Sequence, residues 1–151
     1  MSWNIHGLNN DKLADLIDIF CKYDIIFLYE TWADKHSNFD LKGYKCFNFP
    51  RKFQNRRARR CSGGVLIYVK DSIANGVELI KNRYDTIIWL KLSKMFFKFE
   101  NDVYIAGVYV WVENSPAYNV VDVDLFDLIE EDIILYETKG KVLLFGDWNA
   151  R

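Results

Sequence analysis

The chain reads KVLLFGDWN over residues 141–149, and this stretch decides the fold prediction. A short apolar run is followed at once by a glycine, a carboxylate and an amide. Apolar runs of this length that end in turn residues are typical of buried strands. In α/β sheets, polar side chains just beyond the carboxyl ends of strands face the ligand site. The stretch therefore predicts a strand over 141–145 that carries Asp147 and Asn149 into a site.

The same arrangement recurs near the amino terminus. Residues 24–29 form a second apolar run of strand length, and Glu30 follows it directly. A shorter strand over 2–5 carries Asn4, and apolar residues at helical spacing predict a helix over 11–22 between the two strands. The order strand, helix, strand indicates an α/β fold with two further polar residues at strand ends.

The rest of the chain predicts mostly sheet. Gly63-Gly64 opens a strand over 65–70, and three more strands are expected over 86–92, 95–99 and 103–111. Residues 119–138 predict a helix with an apolar face toward the core, and its many acidic residues are expected on the solvent side.

Length and composition exclude several classes of protein. The chain has 151 residues, 50% hydrophobic and 27% charged, without repeats or linkers, which predicts one folded domain over 1–151. The absence of long apolar runs argues against a membrane span. The first residues lack a secretory signal pattern, so we expect an intracellular protein of the nucleus or cytoplasm. The three cysteines, without CxxC spacing, indicate reduced thiols.

Charge is distributed unevenly along the chain. The net charge is −1, yet residues 51–60 contain six basic residues and no acidic one. Such blocks attract nucleic-acid phosphates, because each neutralised phosphate releases condensed counterions. The alternative is a solvated loop without a partner. The candidate nucleic-acid-binding residues are Arg51, Lys52, Arg56, Arg57, Arg59 and Arg60.

The carboxylates at the strand ends suggest metal chemistry. Mg²⁺ prefers oxygen ligands and usually takes one or two carboxylates together with substrate phosphate. Glu30 and Asp147 are residues of that kind, and Asn4 and Asn149 would orient the bound groups. Each residue, taken singly, is equally compatible with a solvated turn.

Five sequence blocks, in order, resemble those of one superfamily. They are WNIHGL (3–8), YETW (29–32), GGV with YVK (63–70), Tyr109 with ENSP (113–116), and GDWNA (146–150). The chain resembles the endonuclease/exonuclease/phosphatase superfamily over residues 2–151. Within it, the ETW block, the basic loop and the ENSP block are most similar to the endonuclease domain of non-long-terminal-repeat retrotransposons.

The resemblance implies an α/β, DNase-like, four-layer fold, a two-sheet sandwich flanked by helices. It also implies Mg²⁺-dependent cleavage of phosphodiester bonds in DNA, with Mn²⁺ as the alternative cofactor. The implied catalytic residues are Asn4, Glu30, Tyr109, Asp147 and Asn149. Glu30 would hold the metal, the two asparagines would hydrogen-bond the phosphate or its metal, and Tyr109 would support the phosphate. Asp147 would position or activate the attacking water.

Members of the superfamily continue beyond the GDxN block with a late Ser-Asp-His block. The resemblance therefore implies an N-terminal portion that is incomplete at the C-terminus. We expect the uncovered edge of the 142–145 strand to favour self-association. Neither His6 nor His36 is assigned a role, and both are expected to be ordinary polar residues.

Three functions remain open from the sequence. The first is an endonuclease that grips the DNA backbone through residues 51–60. The second is a non-catalytic, retrotransposon-derived remnant that binds nucleic acid or another chain. The third is a phosphatase acting on a small phosphorylated substrate.

Overall fold

A computed structural model describes residues 1–51, 63–112 and 123–149. The chain divides into two compact units, Met1–Asn75 and Gly76–Arg151. Each unit contains a four-stranded sheet with both parallel and antiparallel pairs. Two mixed sheets flanked by helices confirm the predicted α/β, DNase-like class.

The first unit contains one helix and four strands, in the sheet order β1-β2-β4-β3. Strands β1 and β2 are parallel, and the helix forms the connection between them. Strand β4 is antiparallel to both of its neighbours. The elements are β1 (Ser2–Asn4), α1 (Asn10–Phe20), β2 (Ile25–Tyr29), β3 (Tyr44–Phe49) and β4 (Val65–Lys70).

The core of the first unit lies between α1 and its sheet. Phe20 on the helix is completely buried with Ile26 of β2 and Tyr68 of β4. Helix α1 begins where the Asn9 side chain accepts a hydrogen bond from the backbone N–H of Lys12 at 2.8 Å, as expected for an N-cap. This packing fixes the end of β2 from which Glu30 follows.

The second unit has the sheet order β5-β6-β7-β8. Strands β7 and β8 are parallel, and the other pairs are antiparallel. Among the described residues, no helix is long and apolar enough to cross a bilayer. The elements are β5 (Val77–Arg83), β6 (Ile87–Leu92), α2 (Lys94–Phe97), β7 (Asp102–Tyr109), α3 (Leu125–Glu137) and β8 (Gly140–Asp147), and a 3₁₀ turn over Ala74–Gly76 precedes β5.

The structure corrects the strand predicted over 95–99. These residues form the single helical turn α2, which ends where Lys98 adopts a left-handed conformation with φ of 57°. The Asp102 carboxylate accepts the backbone N–H of Lys94 at 2.8 Å and so satisfies a donor at the start of the turn. Because the antiparallel neighbours β6 and β7 pair directly, this apolar segment forms the connection between them rather than a strand.

Two strands, β3 and β5, lie where the sequence predicted none. Strand β3 has one exposed residue and no buried one, and four of the seven residues of β5 are polar. Both are edge strands. Edge strands need less apolar sequence because only one side of their backbone pairs, which weakens the hydrophobic signal.

One acidic residue of α3 is buried, contrary to the expectation that this face is solvated. The Asp132 side chain is 1% exposed. Its carboxylate accepts hydrogen bonds from the Lys81 ammonium, from the Arg83 guanidinium at 2.8 Å and from the Trp89 indole at 2.9 Å. These bonds join α3 to β5 and β6, so a buried carboxylate fixes the helix on the sheet.

We predict that Asp132→Ala lowers the free energy of unfolding by about 2–4 kcal/mol. The substitution leaves the indole N–H and two cationic groups without their shared acceptor. Glu131→Ala is the matched control, because that side chain is 63% exposed and pairs with Arg83 at 3.1 Å. Its removal is expected to cost less than about 1 kcal/mol. Equal urea unfolding midpoints for the two variants would contradict this assignment.

Candidate active site

Asn4 and Glu30 meet at the carboxyl ends of two parallel strands. Asn4 lies opposite Tyr29 in the β1–β2 register, so Glu30 follows at the next position. The Asn4 side-chain amide donates to the Glu30 carboxylate at 2.9 Å. The structure thus brings together two of the five predicted catalytic residues and gives Asn4 a role in orienting Glu30.

Backbone hydrogen bonds continue beyond the strand ends and hold the loop segments in place. Three N–H groups within residues 5–8 donate to the carbonyls of residues 29–31 at 2.7–2.9 Å. On the other side, the N–H groups of Thr31 and Trp32 donate to the Gly64 and Gly63 carbonyls at 3.2 and 2.8 Å. The WNIHGL, YETW and GGV blocks are therefore three adjacent backbone segments of one structure.

Several residues of these segments adopt left-handed backbone conformations. The φ angles of His6, Glu30 and Trp32 are 49°, 52° and 57°. Such conformations are uncommon for residues with a side chain and cost on the order of 1–2 kcal/mol each. Strained residues of this kind concentrate at functional sites, where surrounding contacts hold them.

Gly7 is required because its neighbour is an indole ring. Its φ is 88°, and a Cβ at this position would lie 2.6 Å from Cζ3 of Trp32. Both the backbone conformation and the space exclude any other residue. Trp32 therefore packs directly on the backbone of the segment that carries Asn4.

His6 lies at the carboxylate, although its place in the sequence predicted no role for it. Its Nδ1 is 3.2 Å from Oε2 of Glu30. The imidazole packs edge-on against Trp32 with a centroid separation of 4.8 Å. His36, in contrast, is exposed in a turn, where its backbone N–H donates to Asp34 at 2.8 Å. The left-handed backbone at His6 brings its ring to Glu30, and the spacing of residues in the sequence does not predict this conformation.

Lys12 is a second residue that sequence reasoning missed. Its ammonium donates to the carbonyls of Ile5 and Gly7, the latter at 3.0 Å. A lysine one turn into a helix usually extends into solvent, so the sequence carries no signal for this contact. Lys12 restrains the backbone on both sides of His6.

The other predicted catalytic residues lie in the second unit. Tyr109 and Asp147 are register partners at the carboxyl ends of the parallel strands β7 and β8. The Asn149 side chain donates to the Val110 carbonyl at 2.8 Å, and its backbone N–H donates to the Asp147 carboxylate at 3.2 Å. Asn149, with φ of 43°, is thereby held against the end of β7.

Gly146 and Thr86 position this second group. A Cβ at Gly146 would lie 2.9 Å from the carbonyl carbon of Val108, so only glycine lets β8 approach β7 this closely. The buried Thr86 hydroxyl donates to the Tyr109 carbonyl, and the Tyr109 N–H donates to the Thr86 carbonyl at 2.8 Å. These contacts fix the backbone at Tyr109 before the chain leaves β7.

The donor chemistry around Glu30 fits Mg²⁺. The Glu30 side chain is 20% exposed, and the Asn4 amide fixes one of its oxygens. One or two carboxylates completed by water and substrate phosphate are a common protein site for Mg²⁺. Within residues 1–51, 63–112 and 123–149 no cluster of three or more His, Cys, Asp or Glu side chains could hold an ion by itself.

Most of the basic stretch falls outside the described residues. Residues 52–60, and with them Lys52, Arg56, Arg57, Arg59 and Arg60, are not described. Arg51 is described, and its side chain packs beside Gly63, where a Cβ would lie 2.9 Å from the Arg51 Cδ. The first residue of the stretch therefore lies next to the segment that pairs with Trp32.

A family profile described as the Endonuclease/Exonuclease/phosphatase family matches residues 1–151. The chain belongs to this family. No match was found among curated protein sequences. The two described groups of strand-end residues are therefore those of a family member.

Solved structures share the fold at low sequence identity. The Xenopus laevis APE2 catalytic domain matches with a TM-score of 0.67 at 18% identity, over 99% of this chain and 57% of that one. The human Nocturnin catalytic domain with bound sulfate matches with a TM-score of 0.61 at 17% identity, over 99% and 62%. D. rerio TDP2 complexed with single-strand DNA product gives 0.53 at 17% identity, over 99% and 60%. The chain thus spans about three-fifths of the length of these structures.

We predict that Gly7→Ala lowers the free energy of unfolding by about 2–4 kcal/mol, because it adds a steric clash with Trp32 to a left-handed backbone. Gly43→Ala is the control. Gly43 has a similar φ of 84°, but nothing lies within 4 Å of an added Cβ. That variant is expected to lose about 1 kcal/mol. Urea unfolding measures both, and equal losses would show that the Trp32 contact is unimportant.

Proposed function

We propose that the chain is part of a Mg²⁺-dependent endonuclease of retrotransposon type that cleaves phosphodiester bonds in DNA. The observation that carries the proposal is the 2.9 Å hydrogen bond from Asn4 to Glu30 at adjacent strand ends in a member of this family. It fixes a carboxylate in one orientation, which a solvated turn residue would not need.

In the proposed reaction, Glu30 holds the cation and Asn4 keeps its carboxylate oriented. A bound Mg²⁺ would neutralise charge that develops on the phosphate oxygens. Tyr109 and Asn149 donate hydrogen bonds to the phosphate, and Asp147 positions or activates the attacking water. Donors that are already fixed require no reorganisation during the reaction, and the bonds to Val110 and Thr86 supply that rigidity in the second unit.

One structural relative supports nucleic acid as the substrate, and a second supports binding of a phosphate-like anion. The D. rerio TDP2 structure contains a single-strand DNA product, and the human Nocturnin structure contains sulfate, a tetrahedral anion with the shape of phosphate. The stretch of basic residues over 51–60 favours a polyanionic substrate over a small phosphorylated molecule.

The first test is nicking of supercoiled plasmid by the purified chain with Mg²⁺. We expect nicking that EDTA abolishes and that Glu30→Gln reduces by at least about 100-fold, because the amide loses the ligand charge at the same size. Glu78→Gln, the same change at an exposed position of β5, is the control and should leave the rate unchanged.

The nicking assay also separates the alternative functions. A folded preparation that binds DNA but leaves plasmid intact would support the non-catalytic remnant. Hydrolysis of a small phosphate ester without plasmid nicking would support a phosphatase. Either result would contradict the endonuclease proposal.

A second test addresses the basic stretch. We expect DNA affinity to fall steeply with salt, and replacement of Arg56, Arg57, Arg59 and Arg60 by alanine to flatten the slope of log K against log salt by up to about 3–4. The control replaces four exposed lysines, Lys22, Lys94, Lys139 and Lys141, and removes the same charge. Equal flattening by both variants would mean that net charge, rather than this stretch, drives binding.

A further inference from the structure

His6 adds a nitrogen donor to a site that otherwise consists of oxygen donors. Its Nδ1 is 3.2 Å from Oε2 of Glu30, the oxygen opposite the one that Asn4 engages. We infer that His6 is a second ligand of the cation at Glu30 and raises the affinity of this site for transition cations such as Co²⁺ and Zn²⁺ relative to its affinity for Mg²⁺. The inference rests on the proposed metal-dependent function of Glu30.

The spacing of the two donor atoms suits a shared cation. Two ligands at right angles on an octahedral ion, with bonds of about 2.1 Å, lie about 3.0 Å apart. The observed 3.2 Å is close to that separation. A small movement of either side chain is enough to admit the ion between them.

The backbone and its neighbours hold the imidazole in this place. The His6 N–H donates to Oδ1 of Asn4 at 3.1 Å, and its ring packs on Trp32. Lys12 binds the carbonyls of the residues on both sides. The backbone around His6 is therefore held in place, and Trp32 supports its ring, which is the preorganisation that a ligand needs.

The chemistry of imidazole determines which cations benefit. Neutral imidazole binds Zn²⁺ and its transition-metal neighbours well, whereas Mg²⁺ takes oxygen ligands almost exclusively. Nδ1 faces Glu30, and its role as donor or acceptor depends on the tautomer. In the tautomer with the proton on Nε2, the Nδ1 lone pair is available to the ion.

A purely positioning role for His6 gives a different expectation. If the imidazole only orients the Glu30 carboxylate, its removal weakens Mg²⁺ and Co²⁺ binding by the same factor. If His6 is a ligand, its removal weakens Co²⁺ binding selectively. The ratio of the two affinities therefore distinguishes the roles without any activity measurement.

The test is calorimetric titration of the full chain with CoCl₂ and with MgCl₂, for the unmodified protein and for His6→Asn. Asparagine tolerates the left-handed backbone of this position, so the fold is retained. We expect Co²⁺ affinity to fall by at least about tenfold and Mg²⁺ affinity to change by less than about threefold. His36→Asn, the same change at the exposed second histidine, should alter neither.

A spectroscopic readout avoids dependence on any variant of His6. In the Co²⁺-bound unmodified chain, the ring protons of one histidine should shift far outside the diamagnetic NMR range. The shifted signals should persist in His36→Asn. Their absence, or their loss in His36→Asn, would overturn the inference.

Glu30→Gln separates this inference from the proposed function. If it weakens binding of both cations while His6→Asn changes their affinities equally or not at all, the metal site stands and ligation by His6 is wrong. If Glu30→Gln weakens the binding of neither cation, the proposed metal site is itself wrong, and the inference fails with it.

Discussion

The parallel pairing of β1 with β2 is the constraint on which the Glu30 group depends. The pairing does not stop at the last strand residues, because the Gly7 N–H donates to the carbonyl of Glu30 at 2.7 Å. Glu30 is thus hydrogen-bonded as part of the sheet while its backbone has turned to a φ of 52°. Regular pairing supplies the free energy that keeps this residue in an unfavourable conformation.

Glycine residues in two of the sequence blocks also position the backbone. Gly63 and Gly64 adopt positive φ at no steric cost and offer their carbonyls to the segment after Glu30. Gly146 instead permits a close approach of two strands, with no positive φ. Glycine therefore has two separate uses here, a turn on one side of Glu30 and close contact between β7 and β8.

The parts of the structure that the sequence predicted are those with local causes. The apolar runs of β2, β4 and β8 carry their own signal and form strands where expected, although β8 continues past Phe145 to Asp147. The strand predicted over 95–99 was wrong because these residues lie in the connection between the paired strands β6 and β7, and a local pattern does not show which strands pair. Asp132 and His6 were missed for a related reason: their partners are 43 and 24 residues away in sequence.

Backbone and side chain make separable contributions at Glu30. Its conformation is fixed by backbone hydrogen bonds to both neighbouring segments, and these bonds do not involve the carboxylate. Its side chain is oriented by Asn4 and faces His6. A change from carboxylate to amide therefore alters charge and ligand strength while the scaffold that positions the residue stays in place. Conversely, Gly7 contributes no functional group. Its backbone N–H donates to the Glu30 carbonyl, and its lack of a side chain leaves room for the Trp32 ring. Chemistry and placement at this site belong to different residues.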